Sequence, residues 1–180
     1  MNAASMPAEW LPQYTNKDYE KWDGDWELIN GFPYAMSPAP LRRHQLIGGQ
    51  FVHLAIEQLK KSKIICVCEV LYERDWIISE QTVVRPDVMI LSDTPPSDFV
   101  RIPPVLILEI FSPATRLKDR NLKFKLYEES GVKYYLMADP EKNAVEVFAL
   151  KNNRFEEYHE TLFHLSSSCS VPLSLADIWQ

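Results

Sequence analysis

The sequence predicts an α/β fold: a central mixed β-sheet flanked by helices, with a β-hairpin ahead of it. Val105–Leu108 is a continuous apolar run, too short for a buried helix and rich in β-formers, and so reads as a central strand covered on both faces. Upstream, Thr82–Leu91 gives a second strand, with one acid set before an apolar run. Downstream, a charged helical pattern follows Ser112-Pro113, where proline cannot donate to a strand ladder.

Met1 to about Tyr14 is expected to be a partly ordered arm, after which Thr15 caps a short helix through Trp22. Trp26–Ile29 and Phe32–Met36 flank Asn30-Gly31, a dipeptide suited to a type I′ hairpin turn. Ser37-Pro38 opens a long helix to about Lys61, whose buried face takes His44, Ile47, Phe51 and Leu54. Gly48-Gly49 within it leaves room for close approach of another backbone. Ile64–Tyr72 and Val83–Leu91 read as strands joined by a turn at Ser79-Glu80-Gln81, and the proline-rich stretch Asp93–Pro104 as a loop. Gly131 suits the left-handed position that ends the next helix. Lys133–Ala138 is then a strand, Asp139–Asn143 a turn, and the alternation of Val145, Val147 and Ala149 an outer strand. Asn152-Asn153 turns the chain into Arg154–His159, and Ser174 caps a last short helix through Trp179. The expected organisation is an arm and short helix over 1–25, then one domain over 26–180.

Glu109 stands inside the central strand, where a carboxylate is costly to bury unless a cation or hydrogen-bond donors meet it. On a helical wheel, Leu122 and Leu126 define the inward stripe of the following helix, and Asp119, Lys123 and Tyr127 run along its edge. Lys125 and Glu128 fall on the solvated side. Lys123 therefore points toward the sheet that carries Glu109. Two strand carboxylates, Asp87 and Glu109, with an inward lysine suit a divalent-cation site with a positive group beside it.

Pro86-Asp87, then Glu109 in a strand, then a lysine resembles the PD-(D/E)XK restriction-endonuclease-like superfamily. More closely, PDVMIL, LEIFSPAT, the spacing of Asp119, Lys123 and Tyr127, and GVKYYLMADP resemble the Uma-two family of bacterial endonucleases, over Trp26 to about Leu150. The resemblance implies a restriction-endonuclease-like core and a nuclease dependent on Mg2+ or Mn2+. Asp87 and Glu109 would hold the ion, the backbone carbonyl of Ile110 would be a third oxygen, and Lys123 would be the catalytic lysine. Where the superfamily motif has lysine, two residues after Glu109, this chain has Phe111; the Uma-two pattern does the same and supplies lysine from the next helix. Glu27 matches an early acidic position of the family, set against an ordinary exposed strand acid. His44 matches a recurrent histidine, set against a packed core residue.

The chain has 180 residues, is 46% hydrophobic and carries a formal net charge of −6, which suits one domain with a substantial core and argues against a general nucleic-acid coat. Arg116, Lys118, Arg120, Lys123 and Lys125 nevertheless crowd one segment, as a phosphate-facing patch or a solvated helix face. Cys66, Cys68 and Cys169 are expected to be reduced packing residues. With no basic leader and no membrane-length apolar run, a cytoplasmic protein is expected. The function expected is a metal-dependent endonuclease acting on nucleic acid, DNA before RNA, without a membrane partner and as a homodimer. The alternatives are a buried Glu109–Lys123 ion pair without catalysis, or a non-catalytic nucleic-acid-binding or protein-interaction module that keeps the fold. A two-carboxylate glycosidase has no need of the inward lysine.

Overall fold

The structure, a computed structural model, describes residues 11–36, 41–62, 66–94, 97, 99–113 and 115–180. Thr15 closes onto Asp18, its N–H and hydroxyl both donating to that carboxylate, and starts a single turn, α1 (Asn16–Tyr19), shorter than the helix expected through Trp22. The hairpin of β1 (Trp26–Ile29) and β2 (Phe32–Ala35) follows as expected. Asn30 and Gly31 have φ of 52° and 80°, the two left-handed residues that a type I′ turn requires. The long helix is α2 (Arg42–Lys61); Ser37-Pro38, expected to open it, lie outside the described residues. The close approach at its glycines comes from a side chain rather than a backbone, because a Cβ on Gly48 would stand 2.7 Å from the Tyr72 ring.

Between Cys66 and Leu91 the chain departs from expectation twice. Ile64 lies outside the described residues, and the strand expected from it begins only at β3 (Glu69–Tyr72). A hairpin of β4 (Trp76–Ser79) and β5 (Thr82–Val84) then precedes β6 (Val88–Leu91), so the single strand expected over Thr82–Leu91 is two strands in two sheets. The break falls at Arg85-Pro86-Asp87. Proline has no N–H for a ladder, and the Arg85 N–H leaves the ladder to donate to the Glu27 carboxylate at 2.9 Å.

β7 (Leu106–Ile110) is the expected central strand. After it come a π-helical stretch, Lys118–Lys123, which runs straight into α3 (Phe124–Glu129), and Gly131 at φ 82°. The remaining strands are β8 (Tyr134–Asp139), β9 (Ala144–Lys151), β10 (Arg154–Glu157), β11 (Leu162–His164) and β12 (Ser170–Pro172), with a last 3-10 turn at Leu175–Trp179. β9 is not the outermost strand, since β10 pairs along its far edge. The β11–β12 hairpin escapes prediction because its strands are short and separated by a serine-rich loop.

The main sheet has the order β10-β9-β8-β7-β6-β3 and is mixed, with β7 and β8 parallel and every other pairing antiparallel. Strand alternation divides its core into two faces. Leu106, Leu108, Leu136 and Ala138 pack with Ile47, Phe51 and Ala55 of α2. Ile107, Phe111, Tyr135 and Met137 pack on the other face with Tyr127 of α3. A second sheet, β2-β1-β5-β4, adds Ile29, Trp76 and Val84 to that same core.

The cysteines differ from expectation. Cys66 and Cys169 form a disulfide, and only Cys68 keeps its thiol. The two bridged residues are 103 positions apart, and sequence spacing holds no sign that the stretch before β3 and the β11–β12 loop meet. A disulfide belongs to oxidising surroundings more often than to the cytosol, so the cysteines do not support the expected cytoplasmic location. No helix among the described residues is long and apolar enough to cross a membrane.

Candidate active site

β6 and β7 run antiparallel with Val88 opposite Leu108, and Asp87, the residue before β6, lies at the same end of the sheet as Glu109 of β7. There the Ile110 N–H donates to Asp87 Oδ2 at 2.6 Å. His44, near the start of α2, reaches the same oxygen through Nε2 at 3.1 Å. Together with Asp119, Lys118 and Lys123 these residues line a cavity of about 510 Å³. Ile110, expected to lend its carbonyl, also lines that cavity, and the contact it makes with Asp87 is through its N–H.

Lys123 reaches Glu109 Oε1 and Glu27 Oε1, each at 2.8 Å, and lies 3.8 Å from Asp119. The Tyr127 hydroxyl donates to the same Glu109 oxygen at 2.7 Å. Asp119, Lys123 and Tyr127 are all fully buried, whereas Leu122 and Leu126, expected to form the inward stripe, are only partly buried. The π-helical stretch is the reason. A π-helical residue turns the chain by roughly 80°, against about 100° for an α-helical one. Four α steps overshoot a full turn by about 40° and four π steps fall short by about as much. Across a π-helical 119–123 and an α-helical 123–127 the two errors cancel between Asp119 and Tyr127, so the three side chains span about 40° instead of the roughly 80° of a plain α-helix.

Glu27 is fully buried rather than an exposed strand acid. It accepts the Arg85 N–H and one ammonium on each oxygen, Lys123 on Oε1 and Lys118 on Oε2. Lys118 is the residue that sequence reasoning left in the general basic patch. Its only signal was its place directly before Asp119.

A model of the Uma2 family, described as "Putative restriction endonuclease", matches residues 12–179. The chain belongs to the Uma2 family. The match extends past the Trp26–Leu150 span of the recognised motifs at both ends. The chain is also similar in structure to a putative nuclease from Anabaena variabilis, with a TM-score of 0.72 at 19% identity over 92% of this chain and 97% of that one. No curated protein matches it.

In this Uma2 chain four carboxylates, Glu27, Asp87, Glu109 and Asp119, meet two ammonium groups and one imidazole. Burial pushes Glu109 well above the usual carboxylate range; Lys123 opposes that rise, and the charges of Asp119, Asp87 and Glu27 add to it. Asp119 is pushed up by burial in the same way, again against Lys123. Burial would also raise Glu27, but Lys123 and Lys118 outweigh it and hold that acid low. Burial disfavours the Lys123 ammonium, yet Glu109, Glu27 and Asp119 together keep it charged well past its ordinary range. His44 is raised because its bond to Asp87 overcomes its burial.

The basic segment is not a free phosphate-facing patch. Arg116 clamps Asp139 through two bonds of 2.9 and 3.2 Å and also reaches Glu141, and Arg120 binds Glu146. Both guanidiniums lie 5.3 Å from the centre of the Phe111 ring. Lys125 is exposed, as expected, and pairs loosely with Glu129. Glu128, expected to be solvated, is largely covered and accepts the Phe155 N–H at 2.6 Å.

Proposed function

We propose that this chain is a divalent-cation-dependent endonuclease that hydrolyses phosphodiester bonds, with DNA as its substrate. The observation that carries this is that Asp87 and Glu109 line one cavity, with a buried lysine on Glu109. Membership of a family described as restriction endonucleases supports it.

The residues present fit Mg2+ or Mn2+. Asp119 Oδ1 is buried without a hydrogen-bond partner, and burial, with neighbouring carboxylates adding to it, raises Glu109 and Asp119, a cost that a cation relieves. Magnesium takes oxygen ligands and keeps several waters. Asp87 and Glu109 would hold the ion, with Asp119 and the Ile110 carbonyl as further oxygens. When bound, such an ion offsets negative charge on the phosphate oxygens and makes a water more acidic.

The chain's own groups divide the remaining work. Lys123, kept protonated by its three acids, presents a fixed positive charge to the reacting phosphate, where preorganised charge is worth most. Tyr127 pins Glu109, and His44 with the Ile110 N–H pins Asp87, so both carboxylates keep one orientation. Glu27 receives the two lysines and acts as a positioning acid. Cutting both strands of a duplex would take two copies of the chain.

The experiment is cleavage of plasmid DNA and of structured RNA with Mg2+, with Mn2+ and with chelator, using wild type, Asp87→Asn and Lys125→Ala. Cleavage of DNA that needs the metal, disappears in Asp87→Asn and survives in Lys125→Ala is expected. A folded wild type that binds nucleic acid but cuts neither substrate with either metal would leave the binding-module alternative standing.

A further inference from the structure

The π-helical stretch has an identifiable cause outside the helix. In a regular α-helix the carbonyl of Asp119 would accept the N–H of Lys123, four residues on. Here it accepts the N–H of Phe124, five residues on, and at the same time the hydroxyl of Tyr135 at 3.0 Å. A side chain inserted into the helical ladder is one of the few recognised causes of such a distortion, and π-turns are otherwise rare.

Tyr135 is well placed to impose it. It sits in β8 opposite Ile107 of β7, two residues before the Glu109–Met137 pair, and is fully buried. Its ring packs edge-on against Tyr127 at 5.1 Å and against Phe124 at 6.0 Å, so it grips the two aromatic residues that follow the π stretch. The hydroxyl is thus fixed to the strand that pairs with the one carrying Glu109, while the carbonyl it holds belongs to the segment that carries Lys123.

We propose that Tyr135 is the positioning residue of the site: by occupying the Asp119 carbonyl, its hydroxyl holds Lys118–Lys123 in π register and thereby aims Lys123 at Glu109 and Glu27. Tyr135 touches neither carboxylate and acts through Lys123. Without the hydroxyl the Asp119 carbonyl is open to the Lys123 N–H, the stretch rewinds as α-helix, and Asp119, Lys123 and Tyr127 fan out over about 80° instead of about 40°.

The test is Tyr135→Phe, which keeps the ring and removes only the donor. Its crystal structure should show the Lys123 N–H bonded to the Asp119 carbonyl and the ammonium out of hydrogen-bonding range of Glu109. A variant that keeps the π stretch with Lys123 on Glu109 would overturn the proposal. That outcome does not depend on any activity, so it stands whether or not the chain proves to be a nuclease. The catalytic consequence rests on the proposed nuclease function and has its own readout. Single-turnover cleavage should fall about a hundredfold, the usual cost of displacing a reacting group by an ångström, while Mn2+ affinity, set by the strand carboxylates, stays within about twofold. In a Lys123→Ala background the same change should have no further effect on rate, because a residue that acts through Lys123 has nothing left to position. A loss that instead multiplies with that of Lys123→Ala would assign Tyr135 a general structural role.

Discussion

Replacing Lys123 by alanine tests the site at its centre, and the structure sets the size of the effect. The ammonium is fully buried, 2.8 Å from Glu109 and from Glu27, with Asp119 at 3.8 Å. Removing one partner of a buried ion pair leaves an uncompensated charge and costs about 3–5 kcal/mol. Against a total stability of about 5–15 kcal/mol for a domain this size, that is a large fraction. Lys125, two residues along, is mostly exposed and stands 3.7 Å from an equally exposed Glu129. Its removal should change stability by about 0.5 kcal/mol or less.

The loss in Lys123→Ala should grow with pH. Glu109 is already raised by burial, and without Lys123 it rises further. A carboxyl raised on folding stabilises the native state below its unfolded value, and that stability is lost as pH rises through the folded value. Acid pH favours the neutral carboxyl of Glu109 in the variant, and rising pH increasingly favours a charge that the fold buries. Urea unfolding followed by circular dichroism at both pH values measures this, with 5 mM Mn2+ (roughly saturating for a site of this kind) expected to restore part of the loss at pH 8. If Lys123→Ala and Lys125→Ala lose equal stability at pH 8, Lys123 is not the counter-ion of this cluster.

His44 should give the opposite pH signature from a buried neutral histidine: its contribution is complete below the unfolded imidazole value and fades as pH rises through the raised folded one. His44→Gln should therefore lower Tm more at pH 5.5 than at pH 9, and equal losses would refute the charged pair with Asp87. The helix glycines should part in sign. Gly49→Ala has open space and should gain about 1 kcal/mol, whereas Gly48→Ala drives a methyl into Tyr72 and should lose stability; two gains in thermal unfolding would contradict the packing. Thiol titration of unfolded protein without reductant should count one group, Cys68, and three after reduction, with reduction costing roughly 2–4 kcal/mol; three thiols at the outset would dispose of the Cys66–Cys169 bond.

What the sequence revealed of the site is what local pattern controls. The apolar run around Glu109 and the run Val88–Leu91 after Asp87 are enough to mark the two neighbouring strands, because apolar run lengths announce strands. Asn30-Gly31 and Gly131 likewise announce their own backbone angles. The misses at the site depend on residues far away in sequence. The burial of Glu27 depends on two lysines about 90 positions later, and the Cys66–Cys169 bond on a loop 103 positions away. The inward line of Asp119, Lys123 and Tyr127 was displaced to the edge of the wheel because a wheel assumes α geometry, and the donor that breaks that geometry sits on β8. The split at Pro86 was legible in principle: a proline inside an apparent strand argues against a single strand.

Phe111 connects these misses to the chemistry. It occupies the position two residues after Glu109 where the wider superfamily carries lysine, and it is buried under the guanidiniums of Arg116 and Arg120. Those two arginines are held in turn by Asp139 and Glu146, on the neighbouring strands β8 and β9. The ring therefore serves as a platform that fastens the segment after β7 to the sheet. With that position given to packing, the positive charge beside Glu109 has to come from the fastened segment itself. A plain α-helix would let Asp119, Lys123 and Tyr127 drift apart by about 40° per step, and only one of the three could face the carboxylates squarely. Anchoring by Phe111 and the π-turn held by Tyr135 together narrow that spread by about half. The missing lysine of the strand and the irregular helix are thus two parts of one structural solution.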